Sequence, residues 1–267
     1  MSKKRREIPI FKLPIIETHC HLDYLKEEEL SELLSKSLAH GIEKIMTISV
    51  SPNNLQTVVD IANNHDNIFC TQGIHPHDAK EWSNEAEKII RSNLGNQKVK
   101  AVGEIGLDFH YNKSGTKEQI EVFKKQLEIA IEFEKPVVIH TRDADKETME
   151  ILKEYAPRMK RKGVIHSFTS TKELALCALD LGFHLGFNGI ITFKNAEDVR
   201  DTLRVCPIER ILLETDAPFL TPIPYRGREN APYYLPFIAE KVAEIKEVEL
   251  ETVLKTCYQN SKDCLSL

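Results

Sequence analysis

The sequence lacks the patterns that mark several large classes of protein. Its 267 residues contain no run of 18 apolar residues and no apolar stretch behind the basic start, so we expect neither a membrane span nor a secretion signal. The six cysteines are scattered with no C-x-x-C pair, which favours reduced thiols in a cytoplasmic protein over a disulfide framework. No Gly-x-Gly-x-x-Gly follows an apolar segment, which argues against a dinucleotide-binding fold.

Positive charge is scarce relative to negative charge. With 36 Lys and Arg against 41 Asp and Glu, the formal net charge is -5. Proteins that coat nucleic acids through charge alone are usually strongly basic, so that class is disfavoured. An enzyme that holds a single phosphate through metal ions remains compatible with this balance. The basic run at residues 3–6 is interpreted as a solvated tail.

One pattern does repeat along the chain, an apolar segment followed by a stretch in which apolar residues recur at helical spacing. Strands of a parallel sheet that is covered by helices are typically continuous apolar runs. Eight units of one strand and one helix close into a barrel. An open doubly wound sheet is the alternative, but polar residues at many strand ends favour the barrel. We therefore predict a single (β/α)8 TIM barrel over residues 1–267, with residues 1–12 as a flexible or peripheral segment. The predicted strands are residues 15–22, 42–49, 68–74, 99–104, 136–140, 163–166, 184–188 and 211–216.

The first predicted strand ends in two histidines one residue apart, His19 and His21. Side chains alternate between the two faces of a strand, so both imidazoles reach the same point while Cys20 faces away. Imidazole is the usual nitrogen ligand of Zn, Mn and Fe. The pair alone is a weak indication of a metal site, because His-x-His also occurs by chance on surfaces.

Other strands also end in ligand-type residues, and barrel enzymes build their sites where the carboxyl ends of the strands meet. A single strand-end His is often only hydrogen-bonded, and a strand-end Asp often caps a helix, but six together favour a metal site. Four imidazoles and two carboxylates exceed the needs of one tetrahedral ion, so we predict two cations with a bridging carboxylate, and hydrolysis as their chemistry. The candidate ligands are His19, His21, Glu104 (the predicted bridge), His140, His166 and Asp216.

The chain resembles the TatD family of metal-dependent deoxyribonucleases, a branch of the amidohydrolase-like barrels, from residue 16 to residue 232. The resemblance implies a barrel fold, deoxyribonuclease activity and the same six metal ligands. It rests on an ordered set of segments: Glu-Thr-His-Cys-His-Leu-Asp at 17–23, Gly-Ile-His-Pro-His at 73–77, Gly-Glu-Ile-Gly-Leu-Asp-Phe at 103–109, Pro-Val-Val-Ile-His-Thr-Arg-Asp-Ala at 136–144, Ile-His-Ser-Phe-Thr at 165–169 and Glu-Thr-Asp-Ala-Pro-Phe-Leu-Thr-Pro at 214–222.

The resemblance also bears on residues around the ligands. It implies that His75 is a substrate-site histidine. Arg142 faces the same opening and either binds a phosphate oxygen or pairs with Asp143 or Asp145. Asp108 either orients a ligand imidazole or caps a turn. The sequence departs from the family pattern at four positions: Glu17 for Asp, Ser167 for Cys, Ser170 for Gly and Ala231 for Glu.

The function predicted from these residues is hydrolysis of DNA phosphodiesters at strand ends or on short single strands, because an acidic protein holds long polyanions weakly. Two divalent cations, of Zn, Mg, Mn or Fe, activate the water. Asp216 takes its proton, His75 orients the phosphate or protonates the leaving oxygen, and Arg142 with Arg226 or Arg228 offsets the developing charge. Two alternatives stay open, a hydrolase of esters, lactones or aminoacyl linkages and a metal-binding protein without turnover. No obligate protein partner and no membrane association are predicted.

Overall fold

Eight parallel strands form the inner wall of the molecule in the computed structural model, which describes residues 5–267. The strands pair in chain order, so each connection returns to the neighbouring position in the sheet. Cys20 bridges Ala217, and the Asp216 amide donates to the His19 carbonyl at 2.9 Å, which joins the last strand to the first. The predicted (β/α)8 barrel is thus confirmed over the open doubly wound sheet. The strands are β1 (Ile15–Cys20), β2 (Ile42–Thr47), β3 (Ile68–Gln72), β4 (Val99–Asp108), β5 (Val137–Arg142), β6 (Gly163–Ile165), β7 (His184–Phe187) and β8 (Ile211–Leu213).

Helices surround the barrel. Several begin at a capping side chain: the Ser83 hydroxyl accepts from the Ala86 amide, and the Thr171 hydroxyl accepts from the Leu174 amide. Within residues 5–267 no helix is both long and apolar enough to cross a bilayer. The α-helices are α1 (Leu30–Ala39), α2 (Leu55–Asn63), α3 (Asn84–Asn93), α4 (Thr116–Glu132), α5 (Asp145–Tyr155), α6 (Lys172–Asp180), α7 (Glu197–Val205), α8 (Leu235–Lys246) and α9 (Leu250–Leu265).

Residues 5–14, the described part of the N-terminal segment, belong to none of the barrel strands. Residues 1–4, which include half of the basic run, lie outside the described residues, and residues 5–14 form neither helix nor strand. Arg6 pairs with Glu240 of α8 at 2.6 Å, and the Tyr225 hydroxyl donates to the Arg6 carbonyl at 3.0 Å. The described part of this segment is therefore attached to the outer helices.

Side-chain alternation divides the core into two layers. In β5, Val137 and Ile139 pack outward against the helices, while Val138 points into the barrel. The helix α9, which the sequence analysis did not predict, contributes Cys264 and Leu265 to the inner layer. That layer consists of Met46, Ile48, Val50, Ala101, Val138, Val164, Leu212, Cys264 and Leu265.

Six of the predicted strands end one to three residues earlier than expected, among them β6 and β8, and two, β4 and β5, end later. β6 ends at Ile165 and β8 at Leu213, while β4 continues to Asp108. Ser167 and Asp216 have positive φ angles of 46° and 59°, so the chain leaves the sheet at these points. The ligand-type residues after β6 and β8 therefore lie in the first turn beyond the barrel.

The position of Leu265 predicts a measurable cost for shortening its side chain. Leu265 is fully buried in the inner layer, so Leu265→Ala leaves a cavity and should lower the free energy of unfolding by about 2–5 kcal/mol. Urea denaturation measures this change. Leu176→Ala on α6, where the side chain is 46% exposed, should shift it by less than about 0.5 kcal/mol. Equal effects of the two changes would contradict the packing of α9 against the barrel interior.

Candidate metal centre

The carboxylate of Glu104 lies at the centre of a group of imidazoles. Its Oε1 atom is 2.7 Å from His166 Nε2, 3.1 Å from His140 Nδ1 and 3.3 Å from His75 Nε2. Its Oε2 atom is 3.4 Å from His19 Nε2. Burial alone would raise the pKa of Glu104, but the imidazoles of His166 and His75 together with the other contacts hold it well below its usual range.

The alternation of strand residues brings these side chains together. In β5 and β6 the inward Val138 and Val164 are each followed two residues later by a histidine, His140 and His166. In β1 the buried residue two positions before the histidine is Glu17, and His19 itself is fully buried. The predicted ligands from five chain segments therefore meet at the carboxyl end of the barrel.

Asp216 lies on the open side of this group. Its Oδ1 atom is 3.5 Å from His21 Nε2 and 3.6 Å from His19 Nε2. Its side chain is 13% exposed, against 3% for that of Glu104. Burial raises the pKa of Asp216, but the hydrogen bond from His21 and the nearby His19 bring the net pKa below its usual value, so the group is a carboxylate at neutral pH.

Asp108 orients His140. The Oδ2 atom of Asp108 lies 3.1 Å from His140 Nε2 and 3.0 Å from His77 Nε2, while its Oδ1 accepts from the Tyr111 amide at 2.8 Å. Both roles considered for Asp108, the orientation of an imidazole and the capping of a turn, therefore occur together. Burial lowers the pKa of His140, but its hydrogen bonds to Asp108 and Glu104 raise it to about 9, so both ring nitrogens carry a proton at neutral pH. A cation at Nδ1 would replace the proton that faces Glu104.

His75 has the opposite arrangement. Its Nδ1 accepts from the His77 amide at 3.0 Å, so its ring proton lies on Nε2 and points to Glu104. Burial lowers the pKa of His75 to about 3, so the ring is uncharged. A ring in this tautomer is a hydrogen-bond donor through Nε2 and not a ligand.

Two buried glutamates that the sequence analysis did not assign to the site belong to its surroundings. Glu17 accepts from the amides of His19 and Thr215 at 3.0 and 2.9 Å and so ties β1 to the segment after β8. Glu214 accepts from the Ser167 amide and lies 3.8 Å from His166 Nδ1. Glu17 lies two residues before His19, and Glu214 lies two residues before Asp216. This spacing in the sequence indicates that each glutamate shares a face with the candidate ligand that follows it.

The donor set fits divalent cations. Burial lowers the pKa of His19 to about 4, so the ring is uncharged at neutral pH and one of its nitrogens has the free lone pair that ligation requires. Among the described residues, several buried polar atoms have no hydrogen-bond partner, and unpartnered buried atoms are costly without a ligand. They include both ring nitrogens of His19, Nδ1 of His21 and Nδ1 of His166. Three sets of side chains bring their ligand atoms within 4.8 Å of one another: His19, His21 and Glu104; His75, Glu104 and His140; and His19, His166 and Glu214.

A cavity of about 1610 Å³ opens onto this group, and its floor is formed by His21, His75, Glu104, His140, His166 and Asp216. Arg142 lies at its rim, where its guanidinium is 4.7 Å from the centre of the Tyr111 ring and forms no ion pair with Asp143 or Asp145. The salt-bridge alternative for Arg142 is therefore not what the structure shows.

Arg226 and Arg228 do not line this cavity. The guanidinium of Arg226 lies 4.2 Å from the centre of the Phe193 ring. The Arg228 amide donates to the Tyr225 carbonyl within the loop after β8.

The family model of TatD-related DNases matches residues 16–266 of the chain. YabD of Bacillus subtilis, described as an uncharacterized metal-dependent hydrolase, is 35% identical over 93% of this chain and 97% of its own. A protein of Pantoea ananatis described as 3'-5' ssDNA/RNA exonuclease TatD is 32% identical over 88% and 93% of the two chains. The crystal structure of YJJV, a TatD homologue from Escherichia coli, superimposes with a TM-score of 0.89 at 26% identity over 95% of this chain and 98% of that one. The chain belongs to the family of TatD-related DNases.

Proposed function

We propose that this protein is a metal-dependent hydrolase that cleaves phosphodiester bonds of DNA at strand ends or on short single strands. The observation that carries the proposal is the shared position of Glu104, whose Oε2 atom lies 3.4 Å from His19 Nε2 and whose Oε1 atom lies 3.1 Å from His140 Nδ1 and 2.7 Å from His166 Nε2. A carboxylate so placed suits a pair of cations. The relative described as an exonuclease on ssDNA and RNA supports the nucleic-acid substrate.

The proposed ligands are the six residues predicted from the sequence: His19, His21, Glu104, His140, His166 and Asp216. When bound there, a pair of divalent cations of Zn, Mg, Mn or Fe lowers the pKa of a water molecule and offsets negative charge on a phosphate.

Three side chains of the protein have proposed roles beyond ligation. Asp216, the more exposed of the two ligand carboxylates, accepts the proton of the attacking water. His75 donates from Nε2 to a phosphate oxygen or to the leaving oxygen, in keeping with its tautomer. Arg142, exposed at the rim, pairs with a phosphate of the bound strand.

The charges on the cavity wall favour a short substrate. Outside the ligand cluster, carboxylates outnumber cations in the lining of this cavity: six (Asp78, Asp143, Asp145, Glu147, Asp198 and Asp201) against four (Lys113, Arg142, Lys146 and Lys172). Repulsion from these carboxylates opposes a long polyanion, whereas one or two phosphates reach the floor, where cations would offset their charge. This arrangement supports attack at ends over processive degradation of a duplex.

Cleavage of 3'-labelled single-stranded DNA tests the proposed activity. We expect metal-loaded wild type to shorten the strand, and Asp216→Asn to lower the rate by about 10²–10⁴-fold because the variant loses both a ligand and the proton acceptor. The matched control is Asp198→Asn, the same change at an exposed residue of the cavity wall, which should retain activity. A panel of esters and lactones is assayed in parallel. Activity on that panel alone would replace the phosphodiesterase with the amidohydrolase alternative, and inactivity on both would leave a metal-binding protein.

Metal content tests the shared role of Glu104. We expect wild type to bind two cations per chain by elemental mass spectrometry and Glu104→Gln to bind fewer than one, because both ligand sets lose the same carboxylate. His140→Ala should lose one cation, since His140 belongs to one set, and Asp198→Asn should lose none. Two cations retained in Glu104→Gln would exclude the bridging role.

A further inference from the structure

Three exposed aromatic side chains surround the mouth of the cavity, and the roles proposed above use none of them. Tyr24, Tyr111 and Phe219 are 37%, 55% and 52% exposed, and all three line the cavity. Every other Phe, Tyr or Trp within residues 5–267 is buried or half-buried. Apolar side chains gathered at one place mark a binding surface, whereas scattered ones need no explanation.

The three rings differ in how much of their face is free. Tyr111 has the guanidinium of Arg142 4.7 Å from its centre. Tyr24 stacks on His21, with ring centres 5.3 Å apart and planes 20° apart. Phe219 meets His21 edge-on, at 6.1 Å and 67°, and no cation of the described chain lies over it. Phe219 therefore offers the most open aromatic face.

The backbone that carries Phe219 is held in place although its ring is exposed. The Phe219 amide donates to the Asp216 carbonyl at 2.9 Å. The side-chain amide of Asn230, which is fully buried, donates to the carbonyls of Phe219 and Thr215 at 2.5 and 2.9 Å. A ring on an ordered segment loses little conformational entropy when a ligand stacks on it. Phe219 is thus preorganised as a flat apolar surface beside the ligand cluster.

We propose that the Phe219 ring stacks against a nucleobase next to the phosphate held at the ligand cluster, and that this contact selects unpaired strand ends. The inference rests on the proposed phosphodiesterase function. Phe219 lies beside His21, which is one of the proposed ligands. The nucleoside attached to a phosphate on the cavity floor is therefore within reach of the Phe219 ring. A base within a duplex is already stacked and paired, so it must leave the stack to reach the ring. Stacking tolerates every base, so selection is for single strands and not for sequence.

Cleavage of two 3'-labelled single strands tests the stacking role. One strand is natural, and the other has abasic sites at its two terminal nucleotides. We expect wild type to prefer the natural strand, and Phe219→Ala to lower the ratio of kcat/KM between natural and abasic strands by roughly 5- to 150-fold. Phe219→Trp should keep the preference. Phe219→Leu, which is apolar but has no aromatic face, should lose most of it.

The matched control is Ile223→Ala, at a residue that is 46% exposed on the same loop but does not line the cavity, and it should leave the ratio unchanged. A binding measurement is independent of turnover. A single strand that ends in fluorescent 2-aminopurine, with phosphorothioate linkages that resist cleavage, should be quenched by wild type and by Phe219→Trp and not by Phe219→Ala. Thermal unfolding confirms that each variant is folded.

The two proposals fail in different ways. A Phe219→Ala protein whose preference for the natural strand equals that of wild type overturns the stacking role and leaves the phosphodiesterase in place. An equal loss of kcat/KM on the natural and the abasic strand also overturns the stacking role, because the loss then does not depend on the presence of a base. Metal-loaded wild type that cleaves no nucleic acid overturns the proposed function, and the stacking role with it.

Discussion

The buried carboxylate of Glu104 is the constraint on which the rest of the site depends. An ionised carboxylate that is 2% exposed is stable only if charged or hydrogen-bonding partners replace its water. Imidazoles from β5 and the turns after β3 and β6 supply these partners at 2.7 to 3.3 Å, and the His19 imidazole of β1 lies 3.4 Å away. These segments meet only in the closed barrel, so the carboxylate has its full set of neighbours only there.

A surrounding layer of buried polar groups fixes how the imidazoles point. Asp108 holds His140 with its Nδ1 toward the cavity floor, while the His77 amide fixes His75 in the donor tautomer. Glu17 ties β1 to the segment after β8 through two backbone amides. These contacts set the orientation of the imidazole rings without any cation or substrate.

The barrel and the six ligand candidates could be predicted because both follow from local rules, the apolar strand pattern and the alternation that places i and i+2 on one face. The rest depends on contacts between distant segments. The tautomer of His75 is set by a backbone amide in the following turn, and the guanidinium of Arg226 lies over the ring of Phe193. The packing of α9 into the barrel interior likewise involves residues more than 200 positions apart, which local patterns do not reveal.

The account predicts that a pair of cations flanks Glu104. A crystal structure of protein grown with Mn²⁺ or Zn²⁺, with anomalous diffraction measured at the absorption edge of the metal, tests this most directly. We expect two anomalous peaks about 3.5–4 Å apart on either side of the Glu104 carboxylate. A single peak, or peaks that lie away from Glu104, would contradict the account.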